Sequence, residues 1–126
     1  MDDFTKAYME AALWSTNDES TPSGGEPLDK NYSTKDIARE TVDQMMQDCA
    51  RFQQENAADL ALYDMTNVEW SAAAQGGYDF WLSRNGHGVS FRDRDLPEDA
   101  IERLMAAAET YGEVNLYVGD DGLIYA

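Results

Sequence analysis

The sequence has few of the residues that bind metals or cross-link a small fold. Its 126 residues include one cysteine, Cys49, and one histidine, His87. A single cysteine excludes an intrachain disulfide, and its apolar neighbours favour a buried thiol in a reducing compartment. Neither residue has a partner at zinc-ligand spacing, which excludes a structural zinc site. We therefore expect a protein without a metal or cofactor, stabilised by its hydrophobic core.

Long apolar runs are also missing. No run approaches the roughly 20 residues that a membrane-spanning helix requires. The acidic start, Met1-Asp2-Asp3, lacks the basic and then apolar pattern of a secretory signal. We expect a soluble cytoplasmic protein, and its length predicts one domain over residues 1–126.

Basic residues are also few in this sequence. The chain has 9 basic and 25 acidic residues, a net charge of -16, and the excess runs along its whole length. Such a charge repels nucleic acids and anionic membranes and attracts basic partners. A folded protein of this size has a surface of roughly 6,700 Å², so its acids would average about one per 270 Å². The surface of B-DNA carries more, about one charge per 110 Å². Nucleic-acid mimicry therefore requires most acids to gather on one face, whereas solubility or adaptation to high salt requires no such clustering.

Three segments show helical periodicity. Phe4, Tyr8 and Ala11 fall on one apolar stripe and predict a first helix, which a polar loop over residues 15–32 follows. Ser33, with Asp36 three residues later, predicts the start of a second helix. Asp95 and Gly112 are predicted to bound a third helix. The second helix has an apolar seam that comprises Ala38, Val42, Met45, Cys49, Phe52, Leu60 and Tyr63.

Alternating residues predict two hairpins. Residues 78–84 read as a strand, residues 85–88 as a turn, and residues 89–92 as the returning strand. Residues 114–118 and 123–125 form the second predicted hairpin, around a Gly-Asp-Asp-Gly turn. The predicted order is α-α-β-β-α-β-β, an α+β fold with helices on one face of a small antiparallel sheet.

The acidic side chains of two predicted helices are the leading candidate partner-binding site. If these helices lie side by side, their carboxylates form two rows that a basic groove can bind in place of phosphates. The candidate residues are Asp36, Glu40, Asp43 and Asp48 on the second helix, and Glu98, Asp99, Glu102 and Glu109 on the third.

The first predicted hairpin is the alternative site. His87 at its tip is a possible general acid or base beside Arg84 and Asn85. The competing interpretation is an ordinary turn with an exposed imidazole, and a single histidine without a second catalytic group favours that interpretation. Large aromatic residues are further candidates as interface anchors, namely Trp14, Trp70 and Trp81.

Two motifs resemble a widespread group of small acidic proteins encoded by bacteriophages and prophages. Residues 79–88 read DFWLSRNGHG, and residues 112–122 read GEVNLYVGDDG. Residues 11–15 and 25–32 are similar to the same group, so the resemblance spans most of the chain. It implies a phage setting in the host cytoplasm, and it supplies no catalytic residue.

The resemblance and the charge together favour one class of function. We expect a phage accessory protein that binds a host protein with a basic surface. Its leading form is an acidic, nucleic-acid-mimicking inhibitor of a DNA- or RNA-handling defence factor. A small enzyme or ligand-binding domain centred on the Arg84–His87 hairpin is the second hypothesis. A regulatory or structural phage protein without mimicry is the third.

Overall fold

The computed structural model describes residues 1–20, 25–65, 71–86 and 90–126. Within these ranges the chain is mostly helical, with two small antiparallel sheets, so the fold is broadly α+β. The helices are α1 (Asp3–Ser15), α2 (Arg39–Glu55), α3 (Ala57–Leu60), α4 (Ala72–Arg84) and α5 (Glu98–Glu109). The strands are β1 (Asn17–Asp18), β2 (Glu26–Pro27), β3 (Tyr117–Val118) and β4 (Ile124–Tyr125).

Helix α4 occupies residues 78–84, where the alternation predicted a strand, and that prediction is wrong. The Ser71 side chain accepts a hydrogen bond from the Ala74 N–H and so caps the helix. Phe80, Trp81 and Leu82 are all buried. A helix that is covered on most sides has no single apolar stripe, and its sequence then resembles that of a buried strand.

The first predicted hairpin is absent from the described part of the chain. Residues 87–89 lie outside the described ranges, and Phe91–Asp93 form a 3₁₀ turn. The predicted order α-α-β-β-α-β-β is therefore not confirmed.

Helix α1 packs against α4 with backbone contact. A Cβ atom at Gly77 would lie 1.9 Å from the carbonyl oxygen of Phe4, so only glycine fits there. The helix predicted from the Phe4 stripe is confirmed as α1, and the Asp2 carboxylate caps it by accepting from the Thr5 N–H at 2.9 Å.

The other two predicted helices are present with shifted starts, and the second is shorter than predicted. It ends at Glu55, so Leu60 lies in α3 and Tyr63 in a 3₁₀ turn. The Ser33–Asp36 capping box forms, but it closes a 3₁₀ turn over Thr34–Asp36, and α2 begins at Arg39. Helix α5 begins at Glu98, directly after Pro97, so Asp95 does not cap it. Gly112 follows the end of α5 with a φ of 76°. This left-handed conformation suits glycine.

Aromatic side chains fill the core between α1, α2 and α4. The rings of Phe52 and Phe80 stack with centroids 4.0 Å apart, and Phe4 and Tyr8 pack against the Phe80 ring. The seam predicted on the second helix faces this core, and Cys49 within it is fully buried, as expected. None of the helices in the described ranges combines the length and the apolar composition needed to cross a bilayer.

The predicted loop over residues 15–32 contains a short hairpin. Strands β1 and β2 pair, and the Leu28 N–H donates to the Thr16 carbonyl oxygen at 2.8 Å. The buried Trp81 indole N–H donates to Ser15 Oγ at 2.7 Å. This segment therefore covers Trp81. The second predicted hairpin is confirmed in shortened form as β3–β4, with Tyr117 opposite Tyr125.

Candidate functional site

The contacts that connect the two acidic helices lie near the C-terminal end of α2. The Phe52 and Tyr111 rings make an edge contact, and Arg103 of α5 binds Asp59 of α3 at 2.8 Å. Helix α5 therefore lies against α3, and Tyr111, which follows the end of α5, contacts the C-terminal part of α2. The start of α2 instead contacts the C-terminal hairpin, where the Ala38 N–H donates to the Ile124 carbonyl oxygen at 2.8 Å.

This arrangement separates the eight candidate acids into groups. Helix α2 has 17 residues, or about 25 Å at 1.5 Å per residue. Its first acids lie at the hairpin end, whereas the first acids of α5 lie beyond its other end. The two helices do not bring all eight carboxylates into the two adjacent rows that we expected.

Half of these candidate acids already bind groups of the same chain. The Asp36 carboxylate accepts from the Ser33 N–H at 2.8 Å, and Asp48 binds Arg84 at 3.0 Å. Hydrogen bonding to Arg103 lowers the pKa of Asp99 below its usual value. Asp43 forms an exposed pair with Arg39 at 3.1 Å. Four side chains are exposed and form no ion pair with a described residue: Glu40, Glu98, Glu102 and Glu109.

Most of the basic side chains are engaged within the fold. Six of the nine form ion pairs with described acids, and those pairs use only seven of the 25 acids. Most carboxylates of the described residues therefore have no cationic neighbour. The paired bases are Lys30, Arg39, Arg51, Arg84, Arg94 and Arg103.

Arg84, the central residue of the alternative site, has a structural position. Its side chain is 4% exposed, and its guanidinium donates to the carbonyl oxygens of Tyr111 and Gly112, both at 2.8 Å. The same group donates to Tyr8 Oη at 2.9 Å and to Asp48 Oδ2 at 3.0 Å. Arg84 thus binds the carbonyl groups that follow α5, and its hydrogen-bonding capacity serves the fold.

The Asn85 side chain binds backbone groups of the same fold. Its side-chain amide donates to the Trp81 carbonyl oxygen and accepts from the Val114 N–H, each at 2.9 Å. The third residue of the alternative site, His87, lies outside the described residues. The two described members of that site therefore connect α4 to the C-terminal segment.

A buried ion pair in α4 was not foreseen from the sequence. Asp79 is fully buried and accepts from Arg94 at 2.8 and 3.0 Å and from Tyr63 Oη at 2.6 Å. Hydrogen bonding to Asp79 raises the pKa of Arg94. The three residues are far apart in the sequence, and no local pattern connects them.

An exposed tryptophan lies beside a half-buried tyrosine on the surface formed by α1 and α4. Trp14 is 53% exposed, and its ring lies 6.1 Å from that of Tyr78. Both residues line a pocket of about 320 Å³ with Glu10 and Asp29. We call this group of four residues the Trp14 pocket. A lysine or arginine side chain placed here meets an aromatic surface and two carboxylates.

A larger cleft separates the two hairpins. It has a volume of about 490 Å³, and residues 15–20 and 113–118 form most of its lining. Leu28, Trp81 and Asn85 complete the lining. Among the described residues, no basic side chain contributes to the lining, whereas Asp18, Glu19 and Glu113 do.

Among the described residues, no group of three or more His, Cys, Asp or Glu side chains is placed to hold a metal ion. Comparison with known proteins gives no match to a protein-family model, a curated protein or a solved structure.

Proposed function

We propose that this chain is a phage accessory protein that binds a host protein with a basic surface, and that the Trp14 pocket anchors this partner. The phage setting comes from the motif resemblance, and the chemical class of the partner comes from the charge. The Trp14 pocket is the observation that carries the proposal.

The pocket has the composition of an interface anchor. Tryptophan is enriched among the residues that contribute most to binding at interfaces. Glu10 lies one helical turn before Trp14, and Asp29 contributes a second carboxylate to the lining. A cationic side chain that loses water here gains both an ion pair and a cation–π contact.

The remaining acids act at longer range. Because the acids outnumber the bases by 16, the field outside the molecule is strongly negative. Such a field raises the rate of association with a basic partner. The exposed acids of α2 and α5 supply this field without a phosphate-like geometry.

The test begins with capture from a nuclease-treated bacterial lysate. The captured protein is then purified, and its affinity for the chain is measured as the sodium chloride concentration is raised. We expect a basic protein whose affinity falls at least about tenfold between 0.05 M and 0.5 M salt. Competition by duplex DNA would identify the bound surface as one that handles nucleic acid.

Matched variants locate the surface. Glu10→Lys with Asp29→Lys changes the charge by the same amount as Glu98→Lys with Glu102→Lys on α5. We expect the first pair to abolish binding and the second to reduce mainly the association rate. Trp14→Ala should weaken binding strongly, whereas Met46→Ala, which removes another exposed apolar side chain, should not. Loss of binding only in the α5 pair would move the site to the acidic helices, and salt-independent binding would contradict the proposal.

A further inference from the structure

The cleft between the hairpins is bordered by two unpaired strand edges. In β1, the carbonyl oxygens of Thr16 and Asp18 accept from the β2 side, at 2.8 and 3.2 Å, so the backbone groups of Asn17 point away from β2. In the other hairpin, Gly119 N–H donates to Leu123 at 2.7 Å and Tyr117 pairs with Tyr125. The backbone groups of Val118 therefore point away from β4.

These edges belong to the two segments that line the cleft. Each described sheet has two strands, β1–β2 and β3–β4, so β1 and β3 each have one edge without a strand partner among the described residues. The other edge of β4 is already occupied, since Ile124 bridges to Ile37. Unpaired N–H and C=O groups of this kind accept an added strand.

The dimensions of the cleft suit one extended chain. Each bordering segment has six residues, which span roughly 17–20 Å at about 3.3 Å per residue. The cleft between them has a volume of about 490 Å³, and an added strand of about six residues matches the length of either segment.

The charge of the cleft selects the kind of chain. Glu19 and Glu113 are exposed at its lining, and no lysine or arginine lines it. Hydrogen bonding to Ser20 lowers the pKa of Asp18. An extended segment with alternating lysine or arginine residues places its cations next to these carboxylates.

We propose that the cleft binds an extended, basic peptide segment of the partner as an additional β-strand between β1 and β3. This inference rests on the proposed function for its basic partner, but it assigns a second site, separate from the Trp14 pocket. The added strand would join the two hairpins into one five-stranded sheet.

The probes are peptides of about ten residues, selected from a random displayed library against the intact chain. We expect the selected sequences to alternate lysine or arginine with β-branched residues. In hydrogen exchange, the bound peptide should protect the amides of Leu116 and Val118 at least about tenfold. Selected peptides without basic residues, or protection confined to other segments, would overturn the proposal.

Two variants test the site. Glu19→Lys with Glu113→Lys should weaken peptide binding at least about tenfold. Val118→Pro removes the N–H that points away from β4, so it should block strand addition while β3 and β4 still pair. Retention of the native circular dichroism spectrum confirms that each variant is folded, and unchanged peptide binding in both would contradict the assignment.

The Glu10→Lys and Asp29→Lys pair separates this proposal from the proposed function. It should leave peptide binding unchanged, because neither residue lines the cleft. A captured partner that depends on Trp14, in a protein that selects no peptides, would refute the peptide site and leave the proposed function intact. Peptide binding at the cleft, in a protein that captures no salt-dependent partner, would support the peptide site and contradict the proposed function.

Discussion

Gly77 is the residue on which the packing of α1 against α4 depends. We expect Gly77→Ala to reduce the free energy of unfolding by at least about 3 kcal/mol, because its Cβ must displace the Phe4 backbone. Gly76→Ala is the matched control. Its Cβ would lie 3.1 Å from the Phe4 ring edge, so a small ring shift accommodates it, and helix propensity offsets about 1 kcal/mol. Urea unfolding of both variants measures the difference, and equal losses would contradict the close contact.

Asp79 is the second residue with a large expected effect. Asp79→Asn leaves Arg94 without its counter-ion in a largely buried position, and we expect a loss of about 3 kcal/mol. Asp43→Asn removes the same charge from the exposed pair with Arg39 and should change stability by less than about 1 kcal/mol. Denaturant titration compares the two, and a small effect at Asp79 would show that water reaches the pair.

Among the helices and strands, the sequence was informative where one side of an element is solvated. Helix α1, the α2 seam and the β3–β4 hairpin were predicted because polar positions alternate with buried ones. Helix α4 was not, because burial on most sides removed the period that distinguishes a helix from a strand. The starts of α2 and α5 were misplaced because capping residues can also close 3₁₀ turns or precede a proline.

Site residues that share one helix were predictable from the sequence, whereas those joined by tertiary packing were not. Trp14 was a candidate from its residue type, and Glu10 is its neighbour one turn earlier on the same helix. Asp29 and Tyr78 join them only through the packing of distant segments. The structural use of Arg84 was hidden because its partners lie 27, 28, 36 and 76 residues away.

The junction between α4 and α5 gives a third prediction. Lysine at residue 84 cannot reach the two carbonyl groups, the hydroxyl and the carboxylate that the guanidinium binds together. We expect Arg84→Lys to lower the free energy of unfolding by about 3 kcal/mol. The control, Arg51→Lys, alters an exposed pair with Glu55 and should cost less than about 1 kcal/mol. Thermal melting checks both, and equivalent behaviour would mean that Arg84 is not a structural residue.

Considered as one charged body, the protein should be sensitive to salt. Its net charge of -16 produces mutual repulsion that added ions screen, while the exposed ion pairs contribute little. We expect the melting temperature to rise between about 0.05 M and about 0.5 M sodium chloride. A flat or falling melting temperature over this range would mean that local pairing outweighs the excess charge.

The thermal stability of the protein should fall at acidic pH for a separate reason. Hydrogen bonds to Lys30, Arg103 and Tyr125 lower the pKa values of Glu26, Asp99 and Asp121 respectively. Because the folded pKa values lie below the unfolded ones, their stabilisation is complete above about pH 4.5 and is lost as the pH falls through the folded values. Melting temperatures should therefore decrease below about pH 4.

Variants distinguish the loss of these hydrogen-bonded carboxylates at low pH from the weakening of charge repulsion on mild acidification. Asp99→Asn and Asp121→Asn should each make the acidic decrease shallower, whereas Glu109→Gln, which removes an exposed acid, should not. Mild acidification above about pH 5 should stabilise the protein, because the repulsion weakens as exposed carboxylates begin to take up protons. A steady loss of stability from neutral pH would contradict that expectation.

The contact between Phe4 and Gly77 also determines how early the chain can fold during its synthesis. The two residues are 73 positions apart, and a ribosome that adds about 5–20 residues per second needs roughly 4–15 seconds to connect them. During that interval α1 has been made but its main packing partner has not. Phe4, Tyr8 and Leu13 then remain available to chaperones and proteases. Helix α1 therefore cannot complete its packing until α4 has been synthesised. Truncated chains that end before Arg84 should be degraded rather than accumulate as folded protein.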